Sequence, residues 1–140
     1  MQVVIDTNIL IASLYSRRGY AYALFSQINN GNFGINLSTP LVLEYEDVAK
    51  RMVTKLAISI QDIDAIIDYI CSVGNQHKVF YLWRPFLKDP KDDMVLELAV
   101  AAKCDYIITY NKKDFKHVKS QFGISIVTPD EFIQKTGVLT

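Results

Sequence analysis

Oxygen-bearing side chains follow the apolar runs of this 140-residue chain, at points where predicted strands end. Asp6 comes directly after the first run, Glu44 lies one turn into the helix after the second, and Asn111 follows the fourth. Asp93 ends an acidic turn that leads into a strongly apolar helix. In open α/β sheets, such positions gather outside the carboxyl ends of the strands. Clustered carboxylates repel one another, and Mg²⁺ and Mn²⁺ prefer such oxygen ligands, so the spacing predicts a divalent-cation site.

Each of these acids also has a structural interpretation that the sequence leaves open. Asp6 or Asn8 would cap the helix that follows the first strand, and Glu44 would be a favourable charge near a helix N-terminus. Glu97 is the only charge within its apolar helix and shares a face with Asp93, four residues before it. It would either support the site or pair with a Lys or Arg from another element. The joint placement of the acids favours the cation site.

The elements that must position these residues alternate along the chain. Short apolar runs predict five strands, at 2–5, 33–37, 78–83, 106–109 and 124–127. Helical patterns separate them, at 8–14 and 20–29, from Thr39, at 59–74, 93–103 and 112–120, and after Thr128. This alternation predicts a parallel sheet with helices on both faces.

Composition restricts the class of protein. Half of the residues are hydrophobic, and 15 basic and 15 acidic residues give no net charge, which excludes a disordered or polybasic chain. Residues 1–140 are the length of a single domain. The two cysteines, Cys71 and Cys104, are too few for a disulfide framework. With no membrane-length apolar run and no leader pattern, we expect a cytoplasmic protein with no membrane contact.

Four segments resemble the PIN domain, a small nuclease fold found in many toxins of prokaryotic toxin–antitoxin systems. They are residues 3–8 (VVIDTN), 89–99 (DPKDDMVLELA), 104–109 (CDYIIT) and 128–132 (TPDEF). The second and third are most similar to the VapC-like toxin components of this family. The resemblance covers nearly the whole chain. It implies a three-layer α/β/α fold with a parallel five-stranded sheet.

The resemblance also implies a catalytic set. Asp6, Glu44 and Asp93 correspond to the three family acids that hold Mg²⁺ or Mn²⁺. The family often has a fourth acid where this chain has Asn111, and Asp114 is near enough in sequence to substitute for it. The implied reaction is cleavage of single-stranded RNA by metal-activated water.

Several other residues are expected to support this site. Thr7 and Asn8 follow Asp6 directly and can orient a neighbouring carboxylate. The resemblance places the Thr109 hydroxyl near the metal. Glu97 is a further candidate because of the helix face that it shares with Asp93.

RNA contacts require local positive charge, because the chain has no net charge. Lysines follow Asn111 closely, and three of them are predicted to share one helix face; the candidates are Lys112, Lys113, Lys116 and Lys119. The alternative for this segment is an ordinary solvated helix. Arg17 and Arg18 are a second candidate, in the loop between the first two helices, where neighbouring tyrosines could stack on bases or pack as structural aromatics.

The leading hypothesis is a Mg²⁺- or Mn²⁺-dependent ribonuclease toxin, restrained by a cognate antitoxin and, as the family favours, homodimeric. A second hypothesis is a PIN nuclease that acts in RNA processing. A third is a degenerate PIN domain that binds RNA or protein without cleavage, which Asn111 favours. A Mg²⁺-dependent phosphatase is disfavoured because position 8 is Asn8, where aspartyl-phosphate phosphatases have a second Asp.

Overall fold

Five parallel strands form the centre of the protein in a computed structural model, which describes residues 1–79 and 87–138. The strands are β1 (Gln2–Ile5), β2 (Gly34–Leu37), β3 (Asn75–Gln76), β4 (Tyr106–Ile108) and β5 (Ser125–Val127). Their order across the sheet is β3-β2-β1-β4-β5. The α/β fold with a parallel five-stranded sheet is therefore as predicted.

Helices connect the strands and complete the three-layer α/β/α arrangement. They are α1 (Thr7–Tyr15), α2 (Tyr20–Phe25), α3 (Thr39–Arg51), α4 (Val53–Leu56), α5 (Ile60–Val73), α6 (Pro90–Ala101), α7 (Val118–Phe122) and α8 (Pro129–Thr136). A short 3₁₀ turn spans Lys112–Phe115. No helix in the described ranges is long and apolar enough to cross a membrane.

Strand β1 and helix α6 make the middle of the core. The apolar side chains of β1 are at most 2% exposed. Helix α6 packs against β1, β2 and β4, and its residues Val95, Leu96, Leu98 and Ala99 are fully buried. A helix that is apolar nearly all round requires neighbours on several sides. This packing fixes the N-terminus of α6 beside the sheet.

The strand order changes direction at β1. The chain moves outward from β1 to β2 and β3, then returns to the other side of β1 as β4 and β5. Ile5 pairs with Ile108 in register, and the Asp6 amide donates a hydrogen bond to the Ile108 carbonyl at 2.9 Å. The chain therefore leaves β1 and β4 on diverging paths, which is where open α/β sheets form their binding sites.

The third strand and helix α2 have other bounds than predicted, whereas helix α3 starts at Thr39 as predicted. The described third strand is only Asn75–Gln76, earlier than the predicted 78–83, most of which lies outside the described residues. Helix α2 ends at Phe25 rather than near residue 29. Helix α3 is capped by Ser38, whose side chain accepts from the Leu41 amide, so Thr39 is already helical.

The predicted helix at 112–120 is wrong, and so is the lysine face that it carried. The 3₁₀ turn ends before Lys116, and His117 adopts a left-handed conformation with φ of 68°. A new helix, α7, then starts at Val118. Because the helical phase is lost at His117, Lys112, Lys116 and Lys119 do not lie on one helix face.

Tyr45 ties helix α3 to the end of strand β1. Its ring is buried and its hydroxyl donates to the Ile5 carbonyl, directly before Asp6. The aromatic ring and the hydrogen bond together fix the distance between the residues that precede Asp6 and the helix that carries Glu44.

We expect Tyr45→Phe to lower the free energy of unfolding by about 1–2 kcal/mol, because it removes a hydrogen bond from a buried carbonyl while keeping the ring. Urea denaturation measures the change. The matched control is Tyr69→Phe, which alters a tyrosine that is 48% exposed and should change stability by less than about 0.5 kcal/mol. Equal effects in the two variants would contradict a structural role for the Tyr45 hydroxyl.

Candidate active site

A cleft of about 360 Å³ opens at the carboxyl ends of β1 and β4. Four acids and two amide side chains line it, namely Asp6, Glu44, Asp89, Asp92, Asn8 and Asn111. We call it the carboxylate cleft. Among the described residues that line it, Lys91 is the one cation. Ile11, Val48 and Met52 form an apolar part of the wall.

Asp6 has both of the roles that its sequence position allows. Its Oδ1 accepts from the Thr7 amide at 2.8 Å, as the cap of α1, and its Oδ2 accepts from the Thr109 hydroxyl at 2.8 Å. Burial raises the pKa of Asp6, and repulsion by Glu44 and Asp114 adds to this, while the two hydrogen bonds oppose it. The carboxylate is therefore fixed in orientation and faces the cleft.

Glu44 is connected to Asp6 through Thr7. The Thr7 hydroxyl donates to Glu44 Oε2 at 2.5 Å, while the Thr7 amide holds Asp6. The Lys91 amino group lies 3.8 Å from Glu44 Oε1. Glu44 is 14% exposed and Lys91 is 64% exposed, so this ion pair is at the surface of the cleft and contributes little to stability.

Thr109 is the centre of a second group of contacts. Its hydroxyl, which is fully buried, accepts from Asn8 Nδ2 at 3.3 Å and from the Asn111 amide at 3.0 Å. Asn8 Oδ1 also accepts from the Tyr110 amide at 3.4 Å. The structure therefore brings Thr7, Asn8 and Thr109 together with Asp6, and it places Asn111 in the lining of the cleft.

Asp92, rather than the predicted Asp93, lines the cleft together with Asp6 and Glu44. Asp93 is 1% exposed and accepts from the Leu87 amide at 2.8 Å, and it is not a lining residue of the cleft. Adjacent helical residues point about 100° apart, and here Asp92 lines the cleft while Asp93 binds the Leu87 amide. Burial raises the pKa of Asp92 to about 7, with further repulsion from Asp6, Asp89 and other acids.

The remaining predicted residues lie outside the cleft. Asp114 lines the cavity next to it, and its negative charge still raises the pKa of Asp6 and Asp92. Glu97 is 3% exposed within α6 and is not a lining residue. Arg17 and Arg18 are exposed in the loop between α1 and α2, away from the cleft lining.

The four predicted lysines separate into two pairs. Lys112 forms a salt bridge with Glu131 at 2.9 Å, and Lys119 donates to Ser125 Oγ at 2.8 Å. Lys113 and Lys116 instead line a neighbouring cavity of about 620 Å³. Only the second pair therefore has its amino groups available beside the carboxylate cleft.

The oxygen donors that line the cleft are of the type that divalent cations take. Within the part of the chain that the structure describes, no three His, Cys, Asp or Glu side chains are placed as a group that could hold a metal ion. Mg²⁺ commonly binds through one or two carboxylates and keeps several waters. The carboxylates of Asp6, Glu44 and Asp92 and the side-chain carbonyl of Asn111 supply suitable oxygen donors.

A comparison with family models shows the family of this chain, and a comparison with solved structures shows its fold. The model of a family described as "PIN domain" matches residues 2–113. VapBC-1 from nontypeable Haemophilus influenzae has a similar structure, with 17% identity, a TM-score of 0.63, and coverage of 93% of this chain and 99% of that chain.

Two further solved structures are similar. VapBC2 from Rickettsia felis, bound to a DNA fragment from its promoter, has 13% identity, a TM-score of 0.60, and coverage of 90% and 97% of the two chains. FitAB bound to the IR36 DNA fragment has 11% identity, a TM-score of 0.54, and coverage of 91% and 94%. Comparison with curated proteins gives no match. At these identities the structural likeness shows a shared fold.

We expect the metal-free protein to lose stability as the pH rises from about 5 to 8. The folded state holds a proton on Asp92 up to its pKa of about 7, whereas the unfolded chain releases it near 3.8, so deprotonation favours unfolding within this window. Melting temperatures measured in EDTA across this range test the expectation.

Asp92→Asn should reduce this pH-dependent loss and melt at a higher temperature than wild type at pH 8. The matched control is Asp68→Asn on α5, where the side chain is exposed, and its curve should run parallel to that of wild type. If the melting temperature of Asp92→Asn fell with pH as steeply as that of wild type, this would contradict the placement of Asp92 among the cleft acids.

Proposed function

This chain belongs to the PIN domain family, and we propose that it is a Mg²⁺- or Mn²⁺-dependent ribonuclease that hydrolyses single-stranded RNA. One observation carries the proposal. Carboxylates from three separate elements, Asp6 after β1, Glu44 on α3 and Asp92 on α6, line a single open cleft. Carboxylates held close together repel one another, and a bound cation would remove this repulsion.

The cation would be held by Asp6, Glu44 and Asp92, with Asn111 able to bind it directly or through a water. When bound, it would lower the pKa of a coordinated water and neutralise charge on the scissile phosphate. Asn111 has no charge, so the proposal requires one cation and does not depend on a second.

The chain's own residues orient this set. The Thr7 amide and the Thr109 hydroxyl hold both oxygens of Asp6, and the Thr7 hydroxyl holds Glu44. Fixed carboxylates keep their positions when a substrate arrives, which is the main contribution of a protein to such sites. Lys91 is exposed enough to turn from Glu44 toward a phosphate oxygen.

We further propose that the enzyme is the toxin of a toxin–antitoxin pair. The sequence resemblance to VapC-like toxins supports this role, and the fold neighbours are VapBC and FitAB structures. The partner would be a cognate antitoxin protein. The homodimer expected from the family stays a prediction.

The second candidate function is an RNA- or protein-binding PIN domain without cleavage. Asn111 favours it, because the position carries no charge where the family often has an acid. The two candidates differ in metal-dependent cleavage, which is directly measurable.

We expect the pure protein to cut a labelled single-stranded RNA in Mn²⁺ or Mg²⁺ and to be inactive in EDTA. Asp6→Asn and Asp92→Asn should each lose at least about 100-fold in rate, since each removes a charged ligand. Asp93→Asn is the matched control for Asp92→Asn. It should stay active, because the amide oxygen of Asn can still accept from Leu87.

Activity lost in Asp93→Asn but kept in Asp92→Asn would return the third-ligand role to Asp93. Circular dichroism and a melting curve for each variant would show that it is folded. Metal binding without any cleavage, measured by calorimetry on the same preparation, would favour the binding domain.

Expression in a bacterial host should stop growth if the protein is a toxin. Asp92→Asn should restore growth, and Asp93→Asn at equal protein level should not. Cleavage in vitro combined with normal growth would contradict the toxin role and favour the nuclease of RNA processing.

A further inference from the structure

A second cavity adjoins the carboxylate cleft. It has a volume of about 620 Å³, and Asp89 and Asp92 line both cavities. Its basic lining residues are Lys88, Lys113, Lys116 and His117. We call it the lysine cavity. Its size is that of a site for a small ligand or for part of a polymer.

Within residues 1–79 and 87–138, no salt bridge involves Lys88, Lys113 or Lys116, and all three are exposed. Asp114 is a further lining residue, so the wall is not purely basic. The lining has three lysines and three acids, and two of these acids, Asp89 and Asp92, are shared with the carboxylate cleft, so the lysines form the basic part of a cavity without net charge.

The break in the helical pattern is what forms this wall. Phe115 and Val118 are buried and anchor the chain on both sides of the break. Lys116 and His117, between these two anchors, are exposed. The left-handed φ of 68° at His117 separates the 3₁₀ turn from helix α7. A continuous helix would have placed these residues differently.

The opposite part of the carboxylate cleft has another chemistry. Ile11, Val48 and Met52 line it, and Lys91 is the one cation of the cleft's described lining. Three of the four described lysines that line the two cavities therefore belong to the lysine cavity, and the apolar surface belongs to the carboxylate cleft.

We propose that the lysine cavity binds the backbone phosphates of the nucleotides on one side of the scissile bond, so that the RNA strand crosses the first turn of α6 between the two cavities. This inference rests on the proposed function. It adds that the phosphates on one side of the scissile bond contact the lysine cavity. Phosphate groups attract lysines regardless of base sequence, so the cavity sets register and affinity rather than sequence preference.

The first test is a binding measurement that does not depend on cleavage. Fluorescence anisotropy of a labelled single-stranded RNA, with the protein in EDTA, is compared for wild type and the double variant Lys113→Gln/Lys116→Gln. At 0.1 M salt, we expect the Kd of the double variant to be about tenfold higher than that of wild type. The slope of log Kd against log salt should fall by about 1.4, which corresponds to two lost contacts at about 0.7 each.

The matched control is Lys103→Gln/Lys135→Gln. It removes the same charge from two exposed lysines. They lie near the C-termini of α6 and α8, whereas the N-terminus of α6 is the end at the cleft. Its Kd should change by less than twofold. Mn²⁺ affinity by calorimetry should be the same in all three proteins, because neither pair belongs to the acidic set.

The second test locates the contact along the strand. Single neutral methylphosphonate linkages are placed at successive positions on either side of the mapped cut, and KM is measured. We expect KM to rise for linkages on one side only. The Lys113→Gln/Lys116→Gln protein should lose this sensitivity.

The outcomes separate this inference from the proposed function. Unchanged RNA affinity in Lys113→Gln/Lys116→Gln, with wild type still cutting RNA, overturns the phosphate subsite and leaves an acidic protein segment as the candidate occupant. Equal sensitivity on both sides of the cut overturns the one-sided arrangement. No binding and no cleavage of RNA by wild type overturns the proposed function as well.

Discussion

The buried carboxylate of Asp6 is the constraint on which the rest of the site depends. A carboxylate at the end of the central strand loses its hydration, and this burial raises its pKa. The Thr7 amide and the Thr109 hydroxyl compensate by each donating to one of its oxygens. Thr109 in turn fixes Asn8 and the Asn111 amide. Satisfying one buried group therefore aligns the chain as it leaves β1 and β4, on both sides of the change in strand order.

The acidic cluster is tolerated because helix N-termini meet it. Helices α1 and α6 both begin at the cleft, with Asp6 and Asp89 as their capping residues. The positive end of a helix dipole favours negative charge within its first turn, which is where Asp92 lies. This compensation is partial, since the pKa of Asp92 is still raised to about 7. The remaining unfavourable energy is typical of functional sites, where stability is lower than the fold could provide.

The sequence was sufficient for features that are encoded locally. Strand β1, the position of Asp6 and the buried character of α6 follow from short apolar runs and their boundaries. The choice between Asp92 and Asp93 does not, because α6 is apolar nearly all round and so has no hydrophobic face from which to set its rotation. Likewise, nothing in the residues 112–120 marks the left-handed turn at His117, which the burial of Phe115 and Val118 imposes. Contacts distant in sequence decide both points.

The first turn of α6 also explains how one small domain can keep opposite charges apart. Asp89 and Asp92 border both the carboxylate cleft and the lysine cavity. If the lysines entered the cleft itself, they would neutralise the acids and compete with a cation for them. Lys91 comes nearest to doing so, yet it stays 3.8 Å from Glu44 and largely in solvent. A helix end held rigidly by a buried core therefore separates the groups that would bind a metal from those that would bind a polyanion, while keeping both within reach of one strand.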